Sequence, residues 1–129
     1  MLMYRQENDE IKDPEKIQHC RSWLKLLETL RQDNSLLINR LAEALKHPAS
    51  NTFLESAETF QSSMLHKEEA LVLLRHEIRE QMDWLNRLPA IRQQSPYEYE
   101  NLFEDVQLMV MEFDRMKASF FAFLGAENR

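Results

Sequence analysis

The stretch FLESAETFQSSMLHKEEALVLLRHEIREQMDWLNRL, residues 53–88, decides the fold. Its apolar side chains recur at Phe53, Ala57, Phe60, Met64, Leu71, Leu74, Ile78, Leu85 and Leu88, in alternating steps of three and four. Lys67 and Gln81 occupy the two remaining places of the same row. Steps of three and four put side chains on one face of a helix, whereas a strand needs steps of two. A row this long that never slips predicts one long helix packed against partners in coiled-coil fashion.

The same rhythm runs on either side. Upstream it reads Ile17, Cys20, Leu24, Leu27, Arg31, Asn34, Ile38, Leu41 and Leu45. Downstream it reads Tyr99, Leu102, Val106, Met109, Phe113, Met116, Phe120 and Phe123. Prolines separate the three rows. Asp13-Pro14 predicts an N-cap with proline at the first helical position. His47-Pro48 and Leu88-Pro89 predict stops, because the residue before proline is pushed out of the helical region. Thr52 with Glu55, and Ser95-Pro96 with Glu98, have capping-box spacing. Leu124-Gly125 predicts a C-terminal stop. Asp33-Asn34-Ser35 resembles a capping site, but the heptad phase runs straight through it, so the first helix is expected to continue.

Helices at about 14–47, 52–88 and 96–124 with short connections are expected to form an elongated antiparallel three-helix bundle. Its length would be roughly 50 Å at 1.5 Å per residue. The chain is expected to be a single domain over residues 1–129, with residues 1–12 a flexible or folded-back N-terminal segment. The first helix is net basic and the other two are net acidic, which suits packing the first between them.

Composition agrees. The 129 residues include one glycine and four prolines. About nine glycines would be usual at this length. Gly-rich phosphate loops are therefore excluded, and turn-rich β folds are disfavoured. The net charge is −6, from 22 acidic and 16 basic residues. An acidic chain is a poor nucleic-acid binder, which needs cations to displace counterions. It is equally unsuited to anionic membrane surfaces. Apolar runs such as 71–74 and 108–111 fall far short of a membrane span. The start of the chain lacks a signal-peptide core. A lone cysteine, Cys20, makes no internal disulfide, so a reducing, cytoplasmic setting is expected.

Chemistry is sparse. His19, His66 and His76 lie off the seams and are expected to face solvent, while His47 should sit in the last turn of the first helix. No histidine follows a glutamate with the Glu-x-x-His spacing of di-metal bundles. His76-Glu77-Ile78-Arg79-Glu80 superficially resembles a zincin motif but has Glu80 where a second histidine is needed. Histidine phosphotransfer motifs place lysine and glycine after the histidine (H-x-x-K-G). Glu69-Ala70 follows His66 and Arg79-Glu80 follows His76, so neither site matches. No metal, cofactor or catalytic residue is expected. Cys20, on the seam, should behave as a small buried hydrophobe. Asn34 and Gln81 should fix register, as buried amides do in coiled coils.

The apolar surface exceeds what one bundle can bury. Folding the first two helices about residue 49 pairs residue i with about 98−i. Folding the next two about residue 92 pairs j with about 184−j. Residues 23–27, 70–74 and 108–113 then share one level, and Leu26, Leu73, Leu108 and Met111 point outward. A second excess gathers at one end, where Phe121 lies off the seam beside Phe120 and Phe123. The interface candidates are Trp23, Leu26, Val72, Leu73, Leu108, Met111 and Phe121. The expected role is a non-catalytic protein–protein interaction bundle, with a second copy as homodimer or another helical protein as partner. One alternative is a histidine-phosphotransfer bundle using His66 or His76. A weaker one is an anionic-ligand site at Arg31 and Lys67, which the register sets level with Lys117. In that case Glu28 and Asp114 lie near enough to neutralise the cations.

Overall fold

A computed structural model describes residues 12–127. Three long helices account for nearly all of them: α1 (Asp13–Ala44), α2 (Asn51–Leu85) and α3 (Tyr99–Glu127). A single 3-10 turn, Pro89–Ile91, lies between α2 and α3. All three helices pack on one another as an antiparallel three-helix bundle. The expectation for the N-terminal segment lies outside the described residues, apart from Lys12. Among the described residues, no helix is long and apolar enough to cross a membrane.

The α2 and α3 rows pack as the sequence predicts, except at Leu88, which lies past the end of α2 and is exposed. Phe53, Ala57, Met64, Leu71, Leu74, Ile78 and Leu85 are buried on α2, and Leu102, Val106, Met109, Phe113 and Phe120 on α3. On α1 the buried row is Cys20, Trp23, Leu27, Leu30, Asn34, Leu37 and Leu41. Leu24, Arg31 and Ile38 are only half buried and Leu45 is exposed. The helix is thus turned about its axis, bringing in 23, 30 and 37 in place of 24, 31 and 38. The exchanged row explains the turn. The residues brought in, Trp23, Leu30 and Leu37, are all apolar, whereas those displaced include Arg31, and burying an unpaired guanidinium costs several kcal/mol. At the edge, Arg31 Nε instead donates to Glu68 Oε1 at 2.6 Å.

Helix ends differ by a few residues from the sequence signals. The N-cap of α1 is Lys12, with Pro14 in the first turn and no side-chain cap. The helix ends at Ala44, and the chain tightens through Lys46 N–H to Glu43 O and His47 N–H to Ala44 O. His47 therefore lies past the helix, not in its last turn. Ser50, not Thr52, caps α2, and its Oγ accepts from Phe53 N–H at 3.1 Å. The start of α3 falls at Tyr99 because Ser95 is engaged elsewhere: its hydroxyl lies 3.1 Å from Gln81 Oε1 and 2.6 Å from the Tyr97 carbonyl. Helix α3 runs through Gly125 without a positive φ, so this glycine is not the stop. Helix α1 is unbroken at Asp33–Ser35. There Asn34 is fully buried and its Nδ2 donates to the Met64 carbonyl at 2.9 Å.

Register follows from these ends. Asn34 with Met64 and Arg31 with Glu68 place α1 on α2 as expected. Helix α3 is shifted. Lys67 meets Glu112 rather than Lys117, and Leu73 lies beside Leu108 where residue 111 is expected, a displacement of about one turn. The cause is the early end of α2 at Leu85. The chain reverses over 86–92 and already runs back alongside α2 by Gln93. Trp84 Nε1 donates to the Gln93 carbonyl at 2.9 Å, and Tyr97 N–H to Gln81 Oε1 at 3.2 Å. Gln81 thus fixes register, but against the connection and not across a helix pair.

Candidate interaction surface

The surface apolar side chains fall on both sides of α3. On the expected alignment they form one belt. In the structure they divide between two grooves, one on each side of α3.

The larger groove runs between α1 and α3 and has a volume of about 600 Å³. Trp23, Val106 and Val110 lie at its base, and Leu26, Phe103 and Met111 form its apolar banks. Trp23 is 8 % exposed. It belongs to the core, with its ring 5.3 Å from Tyr99 and 6.1 Å from Phe103, centre to centre. Leu26 is 39 % exposed and Met111 45 %. Gln107, Asp114 and Arg115 complete the rim. The aromatic end of this groove also holds His19. It is half buried, and its Nδ1 is hydrogen-bonded to the Tyr99 hydroxyl. The solvent-facing position expected for His19 is therefore corrected: turning α1 toward Trp23 also brings residue 19 against α3.

The smaller groove, about 210 Å³, runs between α2 and α3. Ala70, Leu74 and Met109 floor it, and Leu73 and Leu108 stand 58 % and 48 % exposed along it. Its polar lining is Glu77, Asp105 and Glu112. Val72 is also exposed on α2, but it lines neither groove.

At the far end the aromatics close the bundle. Phe53 stacks on Phe123 at 4.8 Å, and Phe60 meets Phe120 edge-on at 5.4 Å. Phe121 remains partly open, and the Arg40 guanidinium lies 5.8 Å from its ring centre. Leu45 and Leu54 at the α1–α2 tip are exposed, whereas Leu41 and Phe53 are buried.

The three cations of the expected anion site are each engaged by a carboxylate. Arg31 pairs with Glu68, Lys67 with Glu112 at 3.2 Å and Lys117 with Asp33 at 2.6 Å. Glu28 contributes as expected, lying 3.8 Å from Arg31 and 2.8 Å from Arg75. Among the ion pairs described, Asp114 takes no part. Of the phosphotransfer candidates, His66 is exposed, while His76 Nε2 lies 2.7 Å from Glu80. Cys20 is fully buried, and desolvation raises its thiol pKa, so it is a poor nucleophile. Among the described residues, no three His, Cys, Asp or Glu side chains gather to hold a metal.

Phe103 is the apolar groove residue that the sequence reading passes over, and Val110 lies within the expected 108–113 level but off the row. Each stands one place after a seam residue, at Leu102 and Met109. An apolar residue directly following a seam position marks a widened apolar face. No protein-family model matches the chain, and no curated protein or solved structure is significantly similar to it.

Proposed function

We propose that this protein is a non-catalytic interaction bundle that forms a homodimer through the α1/α3 groove. The supporting observation is the groove itself. A concave apolar strip lined by Leu26, Phe103, Val110 and Met111 extends along two parallel helices, and a rim of polar groups borders it. Exposed apolar strips with polar rims mark protein contacts.

Charge favours a second copy as the occupant. The charged groups on the groove rim are one acid and one base, Asp114 and Arg115, both exposed on α3. A two-fold axis along the bundle would lay each α1 over its partner's α3. An isologous contact of this kind needs a surface complementary to itself, and a rim that carries both Asp114 and Arg115 can pair with its own copy.

Sedimentation equilibrium over micromolar concentrations tests the reading. The expected result is a dimer for the parent chain and a monomer for Leu26→Glu/Met111→Glu, with helical content unchanged. Both substituted side chains already reach solvent, so the fold tolerates the change. A parent chain that stays monomeric over the whole range overturns the dimer.

A further inference from the structure

The α2/α3 groove differs from its neighbour in having carboxylates on both banks. Glu77 stands on α2, with Asp105 and Glu112 on α3. Lys67 neutralises Glu112, and Glu80, just beyond, is held by His76 and by the Tyr97 hydroxyl at 3.3 Å. Among the described residues, no ion pair reaches Glu77 or Asp105. Between the banks lie Leu73 and Leu108, both open to solvent above a floor of Ala70, Leu74 and Met109. We propose that this groove docks a cationic amphipathic helix, whose apolar side chains cover Leu73 and Leu108 and whose lysines or arginines lie between Glu77 and Asp105.

The shape and charge carry this assignment. A trough between two packed helices accepts a further helix, because side-chain ridges fit into the grooves between them. The carboxylates at its edge repel one another. Glu77 is shifted toward its protonated form, first by burial and then by Asp105 and Glu80, against a smaller opposing effect of His76. A cation placed between Glu77 and Asp105 relieves that repulsion, while an anionic partner adds to it. This groove is separate from the α1/α3 groove, so the inference does not rest on the dimer.

The test uses fluorescence anisotropy with the full chain. One labelled probe is an amphipathic peptide of leucine and lysine at helical spacing, and the other carries glutamate in place of lysine. The lysine peptide is expected to bind, more weakly as salt rises, and the glutamate peptide is not. Glu77→Gln/Asp105→Asn should weaken binding about ten-fold, about 1.4 kcal/mol. Leu73→Ala/Leu108→Ala should weaken it similarly. Glu55→Gln/Glu58→Gln removes the same charge from exposed positions toward the other end of α2 and should leave affinity nearly unchanged. Leu26→Glu/Met111→Glu should also retain binding, which separates this groove from the dimer contact. No binding by the parent chain overturns the proposal. So does equal binding of both peptides, or an equal loss in both charge-removing variants.

Discussion

The Arg92 guanidinium lies 4.2 Å from the centre of the Trp84 ring. Its Nη1 also sits 3.0 Å from Asp13 Oδ2, so one side chain ties the α2–α3 connection to the end of α2 and the start of α1. Trp84 bonds the same connection through Gln93. A chain reversal that has no glycine to bend it is held instead by an aromatic platform with a cation on its face.

Removing that cation should loosen the reversal. Arg92→Ala is expected to cost about 1 kcal/mol, the range of a partly desolvated cation–π contact. Arg92→Lys should recover only part of this, because lysine lacks the planar stack. Thermal unfolding followed by tryptophan fluorescence measures both.

Asn34 is buried with only its amide nitrogen bonded, and its Oδ1 meets no donor among the described residues. Asn34→Asp would place a charge in that dry position. A loss of about 3 kcal/mol or more at neutral pH is expected in denaturant titrations. An unchanged midpoint would show that the position is wet.

Cys20 should be shielded by the fold. Its thiol is wholly buried and its pKa is raised by desolvation. Iodoacetamide is expected to leave the native chain unmodified and to label the denatured chain readily. Rapid native labelling would mean that α1 opens locally.

Glu77 should make the bundle less stable as pH rises. Its carboxyl pKa is raised in the folded state, so the native protein holds this proton to higher pH than the unfolded chain does. Stability then falls as pH climbs from the ordinary carboxylate range through the raised value. Glu77→Gln is expected to raise the melting temperature at pH 7. It should match the parent chain below about pH 4, where Glu77 is protonated in both states. A variant less stable at neutral pH would contradict the sign.

Gly125 lies within α3 at ordinary helical φ, and a Cβ added there meets nothing within 4 Å. Gly125→Ala should therefore stabilise by about 0.5 kcal/mol, near the lower end of the helix-propensity gain because the site is close to the terminus. Thermal melts with matched buffers would resolve it.

The sequence by itself determined three helices and the buried faces of two of them. Those properties depend on periodicity along one segment, and α2 and α3 each offer a single apolar row. On α1 it offered two rows sharing Cys20, Leu27, Asn34 and Leu41. Only packing chose Trp23, Leu30 and Leu37 over Leu24, Arg31 and Ile38, because the choice turns on where Arg31 can find a carboxylate, and Glu68 belongs to another helix. Register between α2 and α3 was likewise a tertiary matter. It rests on Gln81 and Trp84 bonding the connection, contacts between residues more than a turn apart that no period records. Which side of α3 each pair takes was also a tertiary matter: Leu26 and Met111 line the groove against α1, and Leu73 and Leu108 the groove against α2. One expected belt thereby becomes two grooves of different charge.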